Sequence, residues 1–358
     1  MSCVDLVVIG GGPAGTAAAI TAARNGAQVR LFEAGRFPRH KVCGEFVSAE
    51  SLELLGSLLD KPDAGLLQSA ARIGKTRLFV DGQIVATEVE PAAASIPRFD
   101  LDAALWGSAK AAGVEASSQV KVLRVTCDGS FTVKTPSGEV QAKAVINASG
   151  RWSNLRTPAE QTTKEKWIGL KAHFGEANPA ASVDLYFFPG GYCGVQPVGK
   201  DHVNACAMVK AAVATELPEV LELHPELKLR SRAWQRVMDS VSVAPLFFET
   251  PQPVRDGVMM VGDAAGFVDP FVGDGISLAL RSGALAAECA VEFIQGRKSR
   301  KDALERYQVE YERRFASIFR SSSRLRELLT WPRAVRAAVL FLLRSSPGIT
   351  RQLVKRTR

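Results

Sequence analysis

The 358-residue sequence has little of what metal sites and disulfide scaffolds are built from. Its six cysteines (Cys3, Cys43, Cys127, Cys193, Cys206, Cys289) are scattered without short paired spacing. That excludes a zinc-ribbon pattern or a disulfide framework and fits a reducing, cytoplasmic setting. Only four histidines occur, His40, His173, His202 and His224, and no two have metal-ligand spacing, so no protein-bound metal is expected. No run approaches the ~18 apolar residues of a membrane-spanning helix. Val4–Ile9 is apolar but short, follows no basic region and runs into glycines, unlike a secretory signal. Nucleic-acid motifs are also missing, so the net charge of +8 does not indicate a nucleic-acid partner. From Arg320 onward ten Lys or Arg residues face one acid, Glu327, and this tail holds the whole excess.

What is present is an ordinary globular composition, 46% apolar and 23% charged, long enough for a large core and a cofactor. The opening reads strand, glycine turn, helix, strand: Val4–Ile9, then Ala14–Asn25 stopped by Gly26, then Gln28–Phe32 ending at Glu33. A βαβ opening predicts a parallel sheet. Ser48–Leu59 and Leu101–Ala112 read as helices, and Asp81-Gly82 joins strands Ile73–Val80 and Gln83–Glu88 as a hairpin. Val120–Val125, Phe131–Thr135 and Val140–Ile146 read as three successive strands, and 167–209 as an antiparallel sheet. Gly257–Val261 resumes a buried strand, Ile276–Ile294 is a long helix, and the remainder is mostly helical.

The pattern predicts an α/β fold in which a nucleotide unit is interrupted by a β-sheet substrate unit. Expected boundaries are 1–70, 98–165 and 251–295 for the three nucleotide-binding parts, 71–97 and 166–250 for the sheet unit, and 296–358 for a basic helical C-terminus. Gly10-Gly11-Gly12-Pro13-Ala14-Gly15 fits G-x-G-x-x-G between strand and helix. Gly10 permits the turn, Gly12 lets backbone approach a pyrophosphate, and Gly15 allows close helix–strand packing. The helix N-terminus at Pro13-Ala14 adds partial positive charge. Glu33, eighteen residues after Gly15 and followed by Ala34, is placed to accept hydrogen bonds from a ribose diol.

Later segments narrow the choice by resemblance. Asn147–Arg156 resembles the "DG" segment of the p-hydroxybenzoate hydroxylase flavoprotein superfamily, with Ser149 in place of the aspartate. Gly262-Asp263 resembles its "GD" segment, and Arg98 the arginine that family uses near the flavin. The resemblance implies a GR-type Rossmann domain binding FAD, with Asp263 on the ribityl chain. Gly262–Leu280 most resembles the geranylgeranyl reductase-like branch, and Lys41–Glu45 is similar to that branch's Cys-Gly segment. Tyr186–Gly191 matches its aromatic Phe-Pro element in part, with Tyr186 and Asp184 standing where the branch carries tryptophan and tyrosine.

Gly273-Asp274-Gly275-Ile276 opens a helix whose free N–H groups could face the flavin's N1/C2 edge; the alternative is a turn capped by Asp274. Cys43 is the candidate catalytic side chain, set beside His40 and Lys41; the alternative is a packed thiol. Tyr186, Phe188 and Tyr192 are candidates for the substrate wall, although an antiparallel core has the same composition. The resemblance implies reduction of a carbon–carbon double bond in a hydrophobic small molecule. The alternative is a monooxygenase hydroxylating an aromatic or polyketide-like substrate through a flavin C4a-hydroperoxide. Halogenation is a minor reading, because the Trp-x-Trp-x-Ile-Pro signature is absent. No second glycine motif is seen, so NADPH or NADH is expected to bind transiently as electron donor. The basic tail fits either a helix lying on an anionic membrane or one packed on the core with a solvated basic face.

Overall fold

The computed structural model describes residues 3–61, 65–151, 155, 166–333 and 335–336. The chain opens with β1 (Val4–Ile9), α1 (Pro13–Arg24) and β2 (Val29–Glu33). Next come β3 (Phe46–Val47), α2 (Ala49–Leu58), α3 (Gly65–Ser69), β4 (Ala71–Val80) and β5 (Gln83–Ser95). Helix α4 (Arg98–Ala111) leads to β6 (Glu115–Ser118), β7 (Arg124–Asp128), β8 (Ser130–Thr135) and β9 (Gly138–Asn147). A second run holds β10 (Trp167–Gly175), β11 (Ser182–Phe188), β12 (Gly191–Pro197) and β13 (His202–Lys210). It continues through α5 (Leu217–Leu221), α6 (Pro225–Ser231), β14 (Gln235–Arg236) and β15 (Val241–Leu246). The chain then returns as β16 (Val254–Arg255) and β17 (Val258–Met260) and ends in α7 (Gly275–Ile294) and α8 (Arg300–Thr330).

Two sheets result. The first has the order β16-β17-β9-β1-β2-β6, with β1 parallel to both β2 and β9. Leu6, Val7 and Val8 are fully buried, as a continuous apolar strand covered on both faces requires. Helix α1 is alanine-rich and lies against α7, where a side chain at Gly283 would begin 2.1 Å from the Ala14 carbonyl oxygen. Tyr307, Tyr311 and Phe315 share one face of α8, packed edge to face and fully buried. Each such ring contributes roughly 1.5–3 kcal/mol by leaving water, and Tyr307 Oη also donates to the Met260 carbonyl at 2.7 Å.

The second sheet has the order β14-β10-β13-β12-β11-β4-β5-β3, with β15 added on β10. Its pairs are antiparallel except β4 with β11, which run parallel. Two features differ from the sequence expectation. Residues 120–122 begin no ladder: Val120 N donates to Glu33 O, as Gln119 N does to Gly35 O, and the segment borders the cleft beside β2. Helices α5 and α6 also interrupt the sheet-rich stretch and cover one of its faces through Leu217, Val220 and Leu227.

Candidate functional site

The end of β1, the N-terminus of α1 and the end of β2 meet at one edge of a cavity of about 1130 Å³. That exceeds the ~300–1,000 Å³ of a typical single small-molecule site, and it runs without a break from the first sheet to the second. At the glycine turn, Gly10 has φ +104° and a Cβ there would lie 2.3 Å from Ala148 O. A Cβ on Gly15 would lie 1.8 Å from Gly10 O, so strand and helix touch as the motif requires. A Cβ on Gly12 meets only the Arg98 guanidinium at 3.8 Å and otherwise open cavity. No side chain caps α1 and no acid occupies its first turn, which leaves this helix end open to an anion.

Glu33 is held on every side. Its Oε2 accepts from Gly11 N at 2.7 Å, and its Oε1 from Gly35 N at 2.7 Å and Arg39 Nη1 at 2.6 Å. Burial alone would raise its pKa, but Arg39 and the two backbone N–H groups outweigh it and hold the carboxyl at about 2. Arg98, 14% exposed, forms a two-pronged pair with Asp102 at 2.6 and 2.8 Å. That carboxylate keeps it charged despite burial beside the glycine turn.

Across the cavity lie Gly262, Asp263, Gly273, Gly275 and Ile276. Asp263 is 3.3 Å from Arg151, whose guanidinium stacks 3.8 Å from the Phe267 ring centre. Gly273 is left-handed, φ +77°, and turns the chain into α7 behind Asp274. Asp274 itself does not cap the helix with its side chain. It is buried against Ser48 Oγ at 3.2 Å, and burial pushes it up to about 6. Ser149 Oγ donates to Asn147 Oδ1 at 2.5 Å, whereas Trp152, Ser153, Asn154 and Arg156 of the same segment lie outside the described residues.

Cys43 lines the cavity half-buried. Its Sγ accepts from Glu45 N at 3.3 Å, its carbonyl accepts from Asn204 Nδ2 at 3.0 Å, and Arg98 lies within hydrogen-bonding reach of the thiol. Next to it is a group that sequence reasoning missed. Glu45, left-handed at φ +63°, ion-pairs with the fully buried Lys171, binds His173 Nε2 at 2.8 Å and accepts from Arg98 N at 2.8 Å. A lysine inside the apolar run of β10 was the available signal, since a buried ammonium requires a buried partner. His173, on β10 with Lys171, belongs to this cluster. Arg39, the partner of Glu33, was also not anticipated.

The wall on the side of the second sheet is apolar: Leu78, Val85, Leu185, Phe187, Met208, Leu246, Phe267 and Phe271, with Tyr192 among them. Tyr186 and Phe188 correct the expectation, because both face away from the cavity. Tyr186 stacks on Phe79 at 4.4 Å and both residues join the core under α5 and α6. Strand side chains alternate between faces, so it is Phe187 of this triplet that reaches the cavity, paired across the ladder with Tyr192.

Residues 4–181 match the pyridine nucleotide-disulphide oxidoreductase family. Digeranylgeranylglycerophospholipid reductase 2 of Methanopyrus kandleri is 28% identical, covering 88% of this chain and 84% of that relative. Menaquinone reductase of Mycolicibacterium smegmatis is 27% identical over 97% of this chain and 89% of its own length. Among solved structures, the flavin-dependent brominase Bmp2 superposes with a TM-score of 0.82 at 21% identity, covering 99% of this chain and 93% of its own. A geranylgeranyl bacteriochlorophyll reductase-like protein from Thermoplasma acidophilum gives 0.76 at 21% identity, covering 100% and 96%. At that identity the two structures speak to fold alone. The chain is an FAD-dependent oxidoreductase with a Rossmann-type nucleotide domain. Its motifs resemble those of the p-hydroxybenzoate hydroxylase superfamily and, within it, of the geranylgeranyl reductase-like branch.

Proposed function

We propose that this protein uses FAD to reduce a carbon–carbon double bond in an apolar, isoprenoid-like molecule, with NADPH or NADH as transient electron donor. The supporting observation is the continuous cavity, a nucleotide cradle at one end and an apolar chamber at the other. The names of the relatives agree with it, since two of them are reductases of isoprenoid-bearing lipids. In this reading Glu33 holds the ribose, the Gly10–Gly15 turn and Arg98 hold the pyrophosphate, and Asp263 holds the ribityl chain. The turn at Gly273 and the start of α7 at Gly275-Ile276 would face the pyrimidine edge of the ring, where negative charge would grow on reduction. Reduced flavin supplies the hydride. The protein positions the alkene, excludes water with the Leu185–Phe187–Phe271 wall and provides the proton.

The chamber opens beside the β4–β5 turn, where Arg336 grips Asp81 at 2.8 and 2.9 Å. Ile84, Trp331 and Val335 are exposed around it, and Arg324 and Arg336 line the mouth. Apolar side chains among arginines suit contact with an anionic lipid surface from which a greasy substrate enters. No helix of the described residues is long and apolar enough to cross a membrane, so the contact in this reading is peripheral. The tail residues Val339, Leu340 and Phe341 lie outside the described residues.

The deciding experiment is anaerobic reduction by NADPH followed by a polyprenyl or enone acceptor, with product mass as the readout. A gain of two hydrogens without oxygen supports the reading. A product that gains one oxygen atom, only in air and only from phenolic substrates, replaces it with the monooxygenase.

A further inference from the structure

Reduction of a double bond needs a proton for the carbon that does not take the hydride. Away from the glycine turn and from the charged mouth at Arg324, Glu327 and Arg336, the titratable groups lining the cavity that could give up a proton include Cys43, Glu45, Tyr192 and Cys206. Glu45 is already committed, since its oxygens are taken by Lys171, His173 and the Arg98 N–H. Cys43 sits among hydrogen-bond donors. The Cys206 thiol is pushed up by burial, and the acid near it is Glu45, already committed to Lys171 and His173. Tyr192 differs from all three.

We infer that Tyr192 and Asp269 form a two-step proton donor, with the phenol protonating the substrate and the buried carboxyl behind it restoring the phenol. The inference rests on the double-bond reduction proposed above. Tyr192, on β12, is 5% exposed and lines the cavity between Phe187 and Phe271. Its Oη lies 3.5 Å from Asp269 Oδ1. Asp269 is 1% exposed and does not itself line the cavity. Its Oδ1 also accepts from Phe271 N at 3.4 Å, the ordinary capping role of an aspartate before a turn. That role leaves Oδ2 unexplained: among the described residues it is buried with no hydrogen bond and has only Arg326 Nη1 at 3.6 Å. Arg326, 30% exposed and stacked on Phe248 at 3.9 Å, reaches from α8 to solvent. A line therefore runs from the chamber through Tyr192, Asp269 and Arg326 to water.

The charge balance suits the task. Burial raises Asp269 to about 7, with Arg326 and its hydrogen bonds opposing only in part. Burial, together with Asp269, Cys206 and Cys193, lifts Tyr192 well above its ordinary value, so it stays a phenol. An acid titrating near the working pH is the effective one for resupplying protons. In the step, the substrate π bond breaks. One carbon bonds the hydride leaving reduced flavin, which ends oxidised, and the other bonds the Tyr192 proton. The phenolate left behind takes the Asp269 proton, and the Asp269 carboxylate, now facing Arg326, takes one from water.

The test uses FAD-loaded wild type, Tyr192→Phe and Asp269→Asn, each pre-reduced and mixed anaerobically with the alkene acceptor or with ferricyanide, which needs no proton at carbon. The phenylalanine variant should lose roughly 100-fold or more in alkene reduction while its reoxidation by ferricyanide stays near wild type. The asparagine variant should lose the wild-type fall in rate as pH rises through about 7. Independently of turnover, infrared titration of the FAD-free protein should show a protonated carboxyl band that disappears above about pH 7 and is missing in Asp269→Asn. Alkene reduction by Tyr192→Phe at the wild-type rate, or absence of that band, overturns the inference and leaves the double-bond reading standing. A wild type that reduces no alkene overturns both.

Discussion

Replacing Glu33 by glutamine in the FAD-free protein isolates one well-defined electrostatic contribution. The side chain is 9% exposed and its partner Arg39 19%, so solvent screening is slight. The carboxyl falls from its ordinary 4.5 to about 2 because Arg39, Gly35 N and Gly11 N outweigh its burial. At about 1.4 kcal/mol per tenfold change in proton affinity, that descent is worth roughly 3 kcal/mol of folding stability. The sign follows from the direction. A depressed carboxylate stabilises the fold above its unfolded pKa, and the gain is lost as pH falls from about 4.5 towards 2. Glu33→Gln keeps shape and one acceptor, so it should cost roughly 2–3 kcal/mol near neutrality. Urea unfolding at pH values from neutral into the acid range reads both quantities. The wild-type midpoint should drop through the acid window more steeply than that of the variant, and the two curves should converge at the acid end. Parallel curves would refute the reasoning, because they would mean that Glu33 is no more engaged in the folded chain than in the unfolded one. FAD affinity should fall in the same variant, measured by flavin fluorescence.

Lys171→Met strands the Glu45 carboxylate in the interior and should destabilise by roughly 3–5 kcal/mol. The double variant Glu45→Gln/Lys171→Met should recover most of the loss by denaturant unfolding, and failure to recover would place the cost in packing. Cys43→Ala should slow turnover several-fold while the purified protein remains yellow with bound FAD. Unchanged kinetics would return the thiol to a packing role.

The nucleotide half was the more legible because its chemistry is local. Gly10–Gly15 and Glu33 stand within one βαβ unit, and the backbone demands of that turn are written in residue type. The opening of α7 was readable from Gly273-Asp274-Gly275 for the same reason, whereas the GD turn at Gly262 was readable only through its resemblance to a family segment. The chamber was less so. Whether Tyr186 or Phe187 faces it depends on which face of the second sheet is covered by α5 and α6, and those two short helices escaped notice. The Glu45–Lys171 pair joins residues 126 positions apart, and the Tyr192–Asp269 contact spans 77. No local pattern encodes such a meeting, although a lysine within an apolar strand signals that one must exist.

The contact between α1 and α7 has a consequence for how the two ends of a long ligand are kept in proportion. Ala14 in the first turn of α1 meets Gly283, two turns into α7, and also lies against Gly262. One helix begins at the Gly10–Gly15 turn and the other across the cavity at Gly275, so the pair works as a caliper whose jaws are fixed where the shafts touch. No loop sets that gap; it is set by the absence of a single methyl group. Any side chain at position 283 would spread the jaws, and in the proposed reading FAD would then satisfy its phosphates or its ring, but not both at once.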